Sequence, residues 1–294
     1  MSKILCVGAA VVDFVFHLET LPSRPEKYGT EEAHVVGGGC AANAAVAVAR
    51  LGGTAVLGAR LGDDSIGDLI VEDLAREGVD VSNVTRTKGA KSSYSSVLID
   101  AAGERQIVNF RGAGLVLATD WFDGLEDVSA VLTDTRRVDA ALAALQLASA
   151  RGIPGVLDGE APIDPALMSA ASHVALSMQG LRDLYPDTDV EAALLDIAVK
   201  HDCWVCVTDG ADGVWYTDGG QTRHMAAFPI TPIDTLGAGD VWHGVFALLL
   251  AEGQSAEEAI RHANGAAALK CLKKGGRAGA PSRAALTEYL KETT

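Results

Sequence analysis

The stretch "PIDTLGAGDVWHGVFALLLAEG" (residues 232–253) joins a glycine-rich turn to a long apolar run. The apolar run predicts a helix that begins near Gly237, with Asp240 in its first turn. The first amides of a helix lack partners within it, and with the helix dipole they form an anion site. The same dipole favours an ionised carboxylate at that position. The stretch therefore fits either a capped helix or an anion cradle beside a base, an arrangement suited to phosphoryl transfer to an alcohol.

The composition limits the class of protein and the kind of partner. The 294 residues are 48% hydrophobic and 21% charged, as in a globular protein with one large domain over residues 1–294. The formal net charge of -15 argues against a nucleic-acid partner and against an anionic membrane surface. The apolar run near the N-terminus is shorter than the ~20 residues that a membrane span needs. It is better explained as a buried first strand.

The cysteines indicate a reducing compartment, which we interpret as the cytoplasm. There are five of them, an odd number, and they are scattered along the chain. Cys203 and Cys206 form a CxxC, but the surrounding "CWVCVTDG" reads as a strand. An odd separation on a strand places the two thiols on opposite faces, which argues against a metal or redox pair.

Short apolar runs alternate with helical patterns along the chain. Strand-like runs such as "KILCVGAAVVD" and "TAVLGARLG" alternate with helical runs such as "DSIGDLIVEDLAREGVD". This alternation predicts βαβ units, a mainly parallel sheet with helices on both faces, and ligand binding at the carboxyl ends of the strands. Two segments, about 14–36 and 91–113, break the pattern and predict antiparallel strands that form a small β-sheet lid. A hairpin is expected at Asp100-Ala101-Ala102-Gly103, between "SSVLID" and "RQIVNF". The expected fold is a three-layer α/β/α core with that lid.

A second glycine turn, "GGGCAAN" (residues 37–43), also opens a predicted helix. Gly37, Gly39 and Ala42 match the spacing of a dinucleotide fingerprint, with Asp63 and Asp64 about twenty residues later. However, the turn follows the irregular lid segment and not the first strand of a βαβ unit. Asn43, a polar residue at the start of an apolar helix, fits contact with a hydroxyl-rich ligand, and a surface role fits equally well. The chain lacks GxxxxGK[ST], which argues against a P-loop ATPase.

Taken in order, these residues resemble the ribokinase-like (PfkB) carbohydrate kinases over essentially the whole chain. The resemblance rests on Asp13 and on "GGGCAANAAVAVARLG", "GARLGDDSIGDLIVEDLAREGV", "VTDGADGVW" and "DTLGAGDVWHG". It implies ATP and Mg²⁺ as cosubstrates, transfer of phosphate to a sugar hydroxyl, and a homodimer formed through the lid. It also implies K⁺, because Asp234 falls near the loop that holds a monovalent cation in many members.

The resemblance also assigns roles to individual residues. Asp240 would be the general base, and Gly237, Ala238 and Gly239 would form the anion hole. The other assigned residues would contact the two substrates: Asp13, Gly38, Gly39 and Asn43 the sugar hydroxyls, and Thr208, Gly210, Gly213, Asn264 and Gly265 the nucleotide.

Two departures from the family pattern bear on the substrate and the metal. Cys40 stands where ribokinases carry a lysine, which argues against ribose. Ser177 and Gly180, in "LSMQG", stand where many members carry Asn-x-x-Glu near the metal.

Within the family, stretches such as "PEKYG", "GERQIVNF" and "VLDGE" are similar to bacterial sulfofructose kinases. This similarity implies that cationic and amide side chains bind an anionic sugar, for example 6-deoxy-6-sulfofructose. Surface ion pairs are the alternative explanation for these charges. Fructose, 2-keto-3-deoxygluconate, ribose and a nucleoside remain alternative substrates, and a catalytically silent sugar or nucleotide sensor remains an alternative function. The side chains concerned are Lys27, Asn109, Arg111 and Arg136.

Overall fold

The computed structural model describes residues 1–293, which form fourteen strands and nine α-helices. The strands are β1 (Lys3–Val7), β2 (Val11–His17), β3 (Glu32–Gly38), β4 (Thr54–Gly58), β5 (Arg60–Gly62), β6 (Thr85–Thr87), β7 (Tyr94–Ile99), β8 (Arg105–Phe110), β9 (Val128–Asp134), β10 (Gly155–Gly159), β11 (His173–Ser177), β12 (Trp204–Thr208), β13 (Val214–Asp218) and β14 (Gln221–Met225). The helices are α1 (Cys40–Arg50), α2 (Ser65–Arg76), α3 (Val138–Arg151), α4 (Pro165–Ala170), α5 (Met178–Leu184), α6 (Val190–His201), α7 (Ala238–Ala251), α8 (Ala256–Cys271) and α9 (Arg283–Glu292).

The main sheet has eight strands in the order β14-β13-β12-β11-β10-β9-β1-β4. The strands from β12 to β4 are all parallel, whereas β13 and β14 extend the sheet as an antiparallel hairpin. The carboxyl ends of the parallel strands therefore share one edge, as the alternation of strands and helices predicts.

Side chains of the main sheet alternate between two apolar cores, as the two-residue period of a strand requires. Ile4 and Cys6 of β1 belong to a core built with α1, α2, α7, α8 and α9. Leu5 and Val7 of the same strand face the opposite layer, where α3 to α6 pack. The predicted three-layer α/β/α arrangement is confirmed.

The two thiols of the CxxC lie on opposite sides of the main sheet, as the strand pattern predicts. Cys206 belongs to the core of the first layer, and Cys203 packs against that of the second. All five cysteines are free. Within residues 1–293, no helix is both long enough and apolar enough to cross a membrane.

A second sheet of four strands, in the order β3-β2-β7-β8, forms from the two segments that break the alternation. The hairpin expected around residues 100–103 is present as β7 and β8. Two details differ from expectation. The first strand ends at Val7, and the chain crosses into the small sheet at Val11, because Gly8 adopts a φ of 154° at the crossing. In addition, β2 and β7 are parallel and not antiparallel.

Helices α1 and α7 approach each other at backbone distance. A Cβ atom at Gly244 of α7 would lie 2.4 Å from the carbonyl oxygen of Ala44 in α1. Alanine side chains cover most of the buried face of α1, so little separates the two helices. This close packing fixes the relative position of their first turns.

We expect Gly244→Ala to lower the free energy of unfolding by roughly 1–3 kcal/mol or more, because the added methyl group forces the two backbones apart. Chemical denaturation followed by circular dichroism measures the change. Gly239→Ala, in the same helix, is the matched control because a Cβ there meets no atom within 4 Å. Equal denaturation midpoints for Gly244→Ala and the wild type would contradict the close approach.

Candidate active site

The first turn of α7 presents open amides beside a carboxylate. Gly237 caps the helix in the left-handed conformation, with φ 73° and ψ 12°, which glycine adopts without strain. Gly239 is exposed, and a side chain added there would meet nothing within 4 Å. The helix N-terminus therefore opens onto solvent-accessible space, as an anion cradle requires.

Asp240 is held by the first turn of α1. Its Oδ2 accepts a hydrogen bond of 2.6 Å from Nδ2 of Asn43. The turn before α1 needs glycine, since Gly39 has a φ of 92° and its Cβ would lie 2.4 Å from the carbonyl oxygen of Ala9. The Oδ1 atom of Asn43 is buried without a hydrogen-bond partner among the described residues.

The pKa of Asp240 differs in direction from the expectation based on the helix dipole alone. Burial raises the pKa of the Asp240 carboxyl above its ordinary value, and the hydrogen bond from Asn43 offsets this only in part. Desolvation of the carboxylate therefore outweighs the groups that favour its charged form. A carboxylate with a raised pKa is a better proton acceptor than an ordinary aspartate.

A cavity of about 510 Å³ lies between the small sheet and the carboxyl edge of the main sheet. Asp13 of β2 stands over Gly38, whose Cβ would lie 2.4 Å from Oδ2 of Asp13. Burial raises the pKa of Asp13, opposed by Ser95 and by the charge of Arg277. The cavity brings together most of the predicted sugar-site and catalytic residues: Asp13, Gly38, Gly39, Asn43, Asn109, Arg136, Gly237 and Asp240.

Lys27 is not among the residues that line this cavity. It lies on the exposed loop between β2 and β3. Asn109, by contrast, lines the cavity and donates a 2.9 Å hydrogen bond to Oγ of Ser95.

Three further carboxylates lie at this edge of the sheet, and sequence reasoning did not assign them a role. Asp134 ends β9 and accepts hydrogen bonds from the amides of Ala9 (2.7 Å) and Arg136 (2.9 Å). Asp158 of β10 has an Oδ2 atom 3.6 Å from Nδ1 of His243. Glu160 follows β10. Their position at strand ends, in "LTDT" and "LDGE", was the available signal.

Burial, and to a smaller extent neighbouring charge, changes the acidity of Asp134 and Asp158. Burial raises the pKa of Asp158 well above its ordinary value, and the charges of Asp240 and Asp134 raise it further. Ligand atoms of Cys40, Asp158 and Asp240 all lie within 4.8 Å of one another. A cation near these oxygens would relieve their repulsion.

Four arginines line the same cavity. Arg136 pairs with Glu160, Arg137 pairs with Asp139, and Nη1 of Arg60 donates to the carbonyl oxygen of Leu115 at 3.2 Å. Arg111 has no ionic or hydrogen-bond partner within residues 1–293. The cavity thus brings carboxylate and guanidinium groups together.

The predicted nucleotide residues lie elsewhere. Thr208 ends β12, and Gly210 and Gly213 form the turn after it. Asn264 and Gly265 are buried in α8. The Oδ1 atom of Asn264 accepts a 2.8 Å hydrogen bond from Nε1 of Trp242, and a Cβ at Gly265 would lie 2.9 Å from a methyl group of Leu290. These two residues therefore take part in helix packing.

The proposed dinucleotide fingerprint lacks the context that it requires. The strand before "GGGCAAN" is β3, which belongs to the small sheet and not to a βαβ unit of the main sheet. Asp64 is the N-cap of α2 and accepts a 2.9 Å hydrogen bond from the amide of Gly67. Asp63 accepts a hydrogen bond from the amide of Gly89. Both aspartates are thus used in local structure.

The chain belongs to the pfkB family of carbohydrate kinases, whose family model matches residues 1–283. It is therefore a sugar kinase. It is 29% identical to the ribokinase of Bacillus subtilis, over 99% of this chain and 100% of the relative. It is 28% identical to the fructokinase of Vibrio alginolyticus, over 99% of each chain.

Solved structures show the same fold. A ribokinase-like protein from Agrobacterium tumefaciens superposes with a TM-score of 0.92 and 37% identity, covering 99% of this chain and 98% of that chain. The ribokinase of Arabidopsis thaliana complexed with ribose and ATP superposes with a TM-score of 0.87 and 25% identity, covering 99% and 98%.

We expect Cys40 to react slowly with thiol reagents although it lines the cavity. Burial raises the pKa of the Cys40 thiol well above its ordinary value, and the charges of Asp240 and Asp158 raise it further, so little thiolate forms near pH 8. Alkylation of the Cys40 peptide, followed by mass spectrometry, should be at least about tenfold slower than that of a free cysteine. Cys40→Ser supplies the background, and a rate equal to that of free cysteine would contradict the expectation.

Proposed function

We propose that the protein transfers the γ-phosphate of ATP to a primary hydroxyl of a small sugar, with Asp240 as the general base. The observation that carries the proposal is the Asp240 carboxylate. Asn43 holds it at 2.6 Å, beside the open amides of α7, in a cavity large enough for a sugar. This arrangement supplies a proton acceptor and an anion site within one helical turn.

In this mechanism each group of the first turn has a separate task. Asp240 accepts the proton of the sugar hydroxyl, whose oxygen then attacks the γ-phosphate. The amides of Gly237, Gly239 and Asp240 donate to the oxygens of the transferred group as charge shifts among them. The amide of Ala238 is used within the turn, on the carbonyl oxygen of Thr235. Asp13 and Asn43 orient the sugar, and the small sheet limits the access of water.

ATP and Mg²⁺ fit the residues present. Asp158 and Glu160 would hold the metal ion, because carboxylate oxygens suit Mg²⁺. Burial raises the pKa of Asp158, the neighbouring carboxylates raise it further, and a cation would stabilise its charged form. When bound, the ion supplies charge neutralisation for the phosphates. Gly180, at the position of the family's glutamate, has no side chain to offer. Ser177, at the position of the asparagine, is the N-cap of α5, and its Oγ accepts a 3.0 Å hydrogen bond from the amide of Gly180. The Arabidopsis relative, solved with ATP, supports the nucleotide assignment, and we propose that Thr208, Gly210 and Gly213 border the nucleotide.

We propose an anionic ketose as the sugar, with 6-deoxy-6-sulfofructose as the best candidate. Guanidinium groups bind sulfonate, carboxylate and phosphate well, and four of them line the cavity. Arg111, which has no ionic or hydrogen-bond partner among the described residues, is the group best placed to be free for a ligand. Asn109 already donates to Ser95, and its Oδ1 atom accepts no hydrogen bond within the part of the chain that the structure describes. The names of the curated relatives favour ribose and fructose as neutral alternatives.

We further propose that two chains associate through the small sheet. Apolar side chains on the face turned away from the cavity are exposed, including Val35 (56%), Tyr94 (40%) and Val108 (68%). Exposed apolar groups clustered on one sheet are typical of interaction surfaces. The five free cysteines support a reducing cytoplasm as the location.

We expect Asp240→Asn to lower kcat by about 10²–10⁴-fold, because the amide cannot accept the hydroxyl proton. ADP release measured with a coupled assay gives kcat, and circular dichroism confirms that the variant is folded. Near-normal turnover of Asp240→Asn would overturn the role of Asp240. Sugar-dependent ADP release by the wild type also separates a kinase from a silent sensor.

The pH dependence of kcat/KM gives a second test of the role of Asp240. Asp240 must be ionised to act, so kcat/KM should fall as the pH drops through its raised pKa. Asn43→Ala removes a donor to the carboxylate and should move this acid limb to higher pH. An unchanged limb in Asn43→Ala would show that another group controls it.

We expect Arg111→Gln to raise KM at least about tenfold for an anionic ketose, through loss of a charge-assisted hydrogen bond, while KM for fructose changes little. A panel of 6-deoxy-6-sulfofructose, fructose, ribose, 2-keto-3-deoxygluconate and nucleosides tests this by ADP release. Arg24→Gln, on the exposed loop, is the matched control. Turnover of neutral sugars only, with no effect of Arg111→Gln, Arg136→Gln or Lys27→Ala, would overturn the anionic substrate.

A further inference from the structure

Lys270 is a fully buried lysine near the end of α8, with 0% of its surface exposed. A buried ammonium is costly unless it is paired and hydrogen-bonded. Its Nζ donates a 2.6 Å hydrogen bond to the carbonyl oxygen of Asp234 and lies 3.5 Å from Oδ2 of the same residue. The ammonium therefore forms a hydrogen bond and an ion pair with Asp234, the residue expected near a monovalent-cation loop.

The remaining contacts of Asp234 are also made within the protein. Its Oδ1 accepts from the amide of Leu236 at 2.8 Å, and its Oδ2 accepts from the amides of Gly275 (3.0 Å) and Gly276 (3.1 Å). Burial alone would raise the pKa of Asp234, but these amides and the charge of Lys270 hold it below its ordinary value. The Asp234 side chain is thus ionised and surrounded by donors.

Asp234 is linked directly to the first turn of α7. The amides of Ile233 and Asp234 donate to the carbonyl oxygen of Cys271 at the end of α8. Three residues later Gly237 caps α7, and the amide of Ala238 donates to the carbonyl oxygen of Thr235. The position of Asp234 therefore determines where the open amides of the anion site lie.

We propose that the ammonium of Lys270 takes the place of a bound monovalent cation at the Asp234 loop, so that the kinase works without K⁺. A tethered ammonium carries the same charge as K⁺ and contacts the same type of oxygen atoms. The carbonyl and carboxylate oxygens of Asp234, which a free cation would need, are already occupied. Lys270 is then a positioning residue that acts through residues 234–237, and the K⁺ suggested by the family pattern does not fit this loop.

The first experiment measures kcat/KM of the wild type in NaCl, KCl and CsCl at constant ionic strength. We expect equal values in all three salts. Saturable activation of the wild type by K⁺ over Na⁺ and Cs⁺ would overturn the proposal without the need for any variant. This test relies on the kinase activity but on no particular sugar, since any substrate from the panel serves.

The second experiment removes the ammonium. Lys270→Met should lose about 10–100-fold in activity in Na⁺, as is usual when a group supporting a site is lost, and K⁺ should restore much of the loss. A merely structural lysine would show a loss that is the same in every salt, which would overturn the proposal. Lys273→Met, an exposed neighbour, is the control and should keep wild-type activity in all salts.

A thermal-unfolding measurement without sugar or nucleotide separates this proposal from the proposed function. Because a cation that binds only the native state raises Tm, KCl should raise the Tm of Lys270→Met saturably relative to NaCl and leave the wild type unchanged. A K⁺-specific rise in the wild type would overturn the proposal even if no sugar is turned over. Should Lys270→Met not fold in Na⁺, recovery of a folded protein in K⁺ supports the proposal, and failure in both salts overturns it.

Discussion

The close packing of α1 against α7 determines the geometry of the site. The two helices touch through Ala44 and Gly244 without intervening side chains, so their first turns stand side by side. That juxtaposition places Nδ2 of Asn43 at 2.6 Å from Asp240. Two helix N-termini then face one cavity, and each contributes amides with no partner within its helix. A change in the spacing of α1 and α7 would therefore alter both the packing of the core and the contact between Asn43 and Asp240.

Several carboxyl groups lie close together at the carboxyl edge of the main sheet, and their burial determines their pKa values. Asp134, Asp158 and Asp240 all have raised pKa values, and burial is the main cause for each of them. Burial disfavours ionisation, and each carboxylate adds to the cost for its neighbours. The arginines that line the cavity lower this cost. A net charge of -15 over the whole chain is thus compatible with a site that attracts anions.

The sequence predicted the layers, the small sheet and the glycine turns because these depend on local periodicity and on positive φ angles. Gly39 and Gly237, for example, both adopt positive φ angles at helix starts. It did not predict the roles of Asp134, Asp158 and Glu160, which come from two separate strands and meet only through the strand order. Asn264 shows a second limit of prediction from sequence, because its hydrogen-bond partner lies in another helix. Its partner Trp242 lies 22 residues away in another helix, and no local pattern indicates that pairing.

At the Asp234 loop, a lysine of the protein itself supplies the positive charge that balances the carboxylate. In the proposed mechanism the amides at the start of α7 act only if residues 234–237 keep a single conformation. The half-buried carboxylate of Asp234 holds these residues, and an opposite charge beside it offsets the cost of its burial. Lys270 provides that charge from α8 and also binds the carbonyl oxygen of Asp234. Because the charge is covalently attached, its local concentration does not depend on the salt in solution. In our proposal, residues 234–237 therefore keep their conformation without a cation from solution.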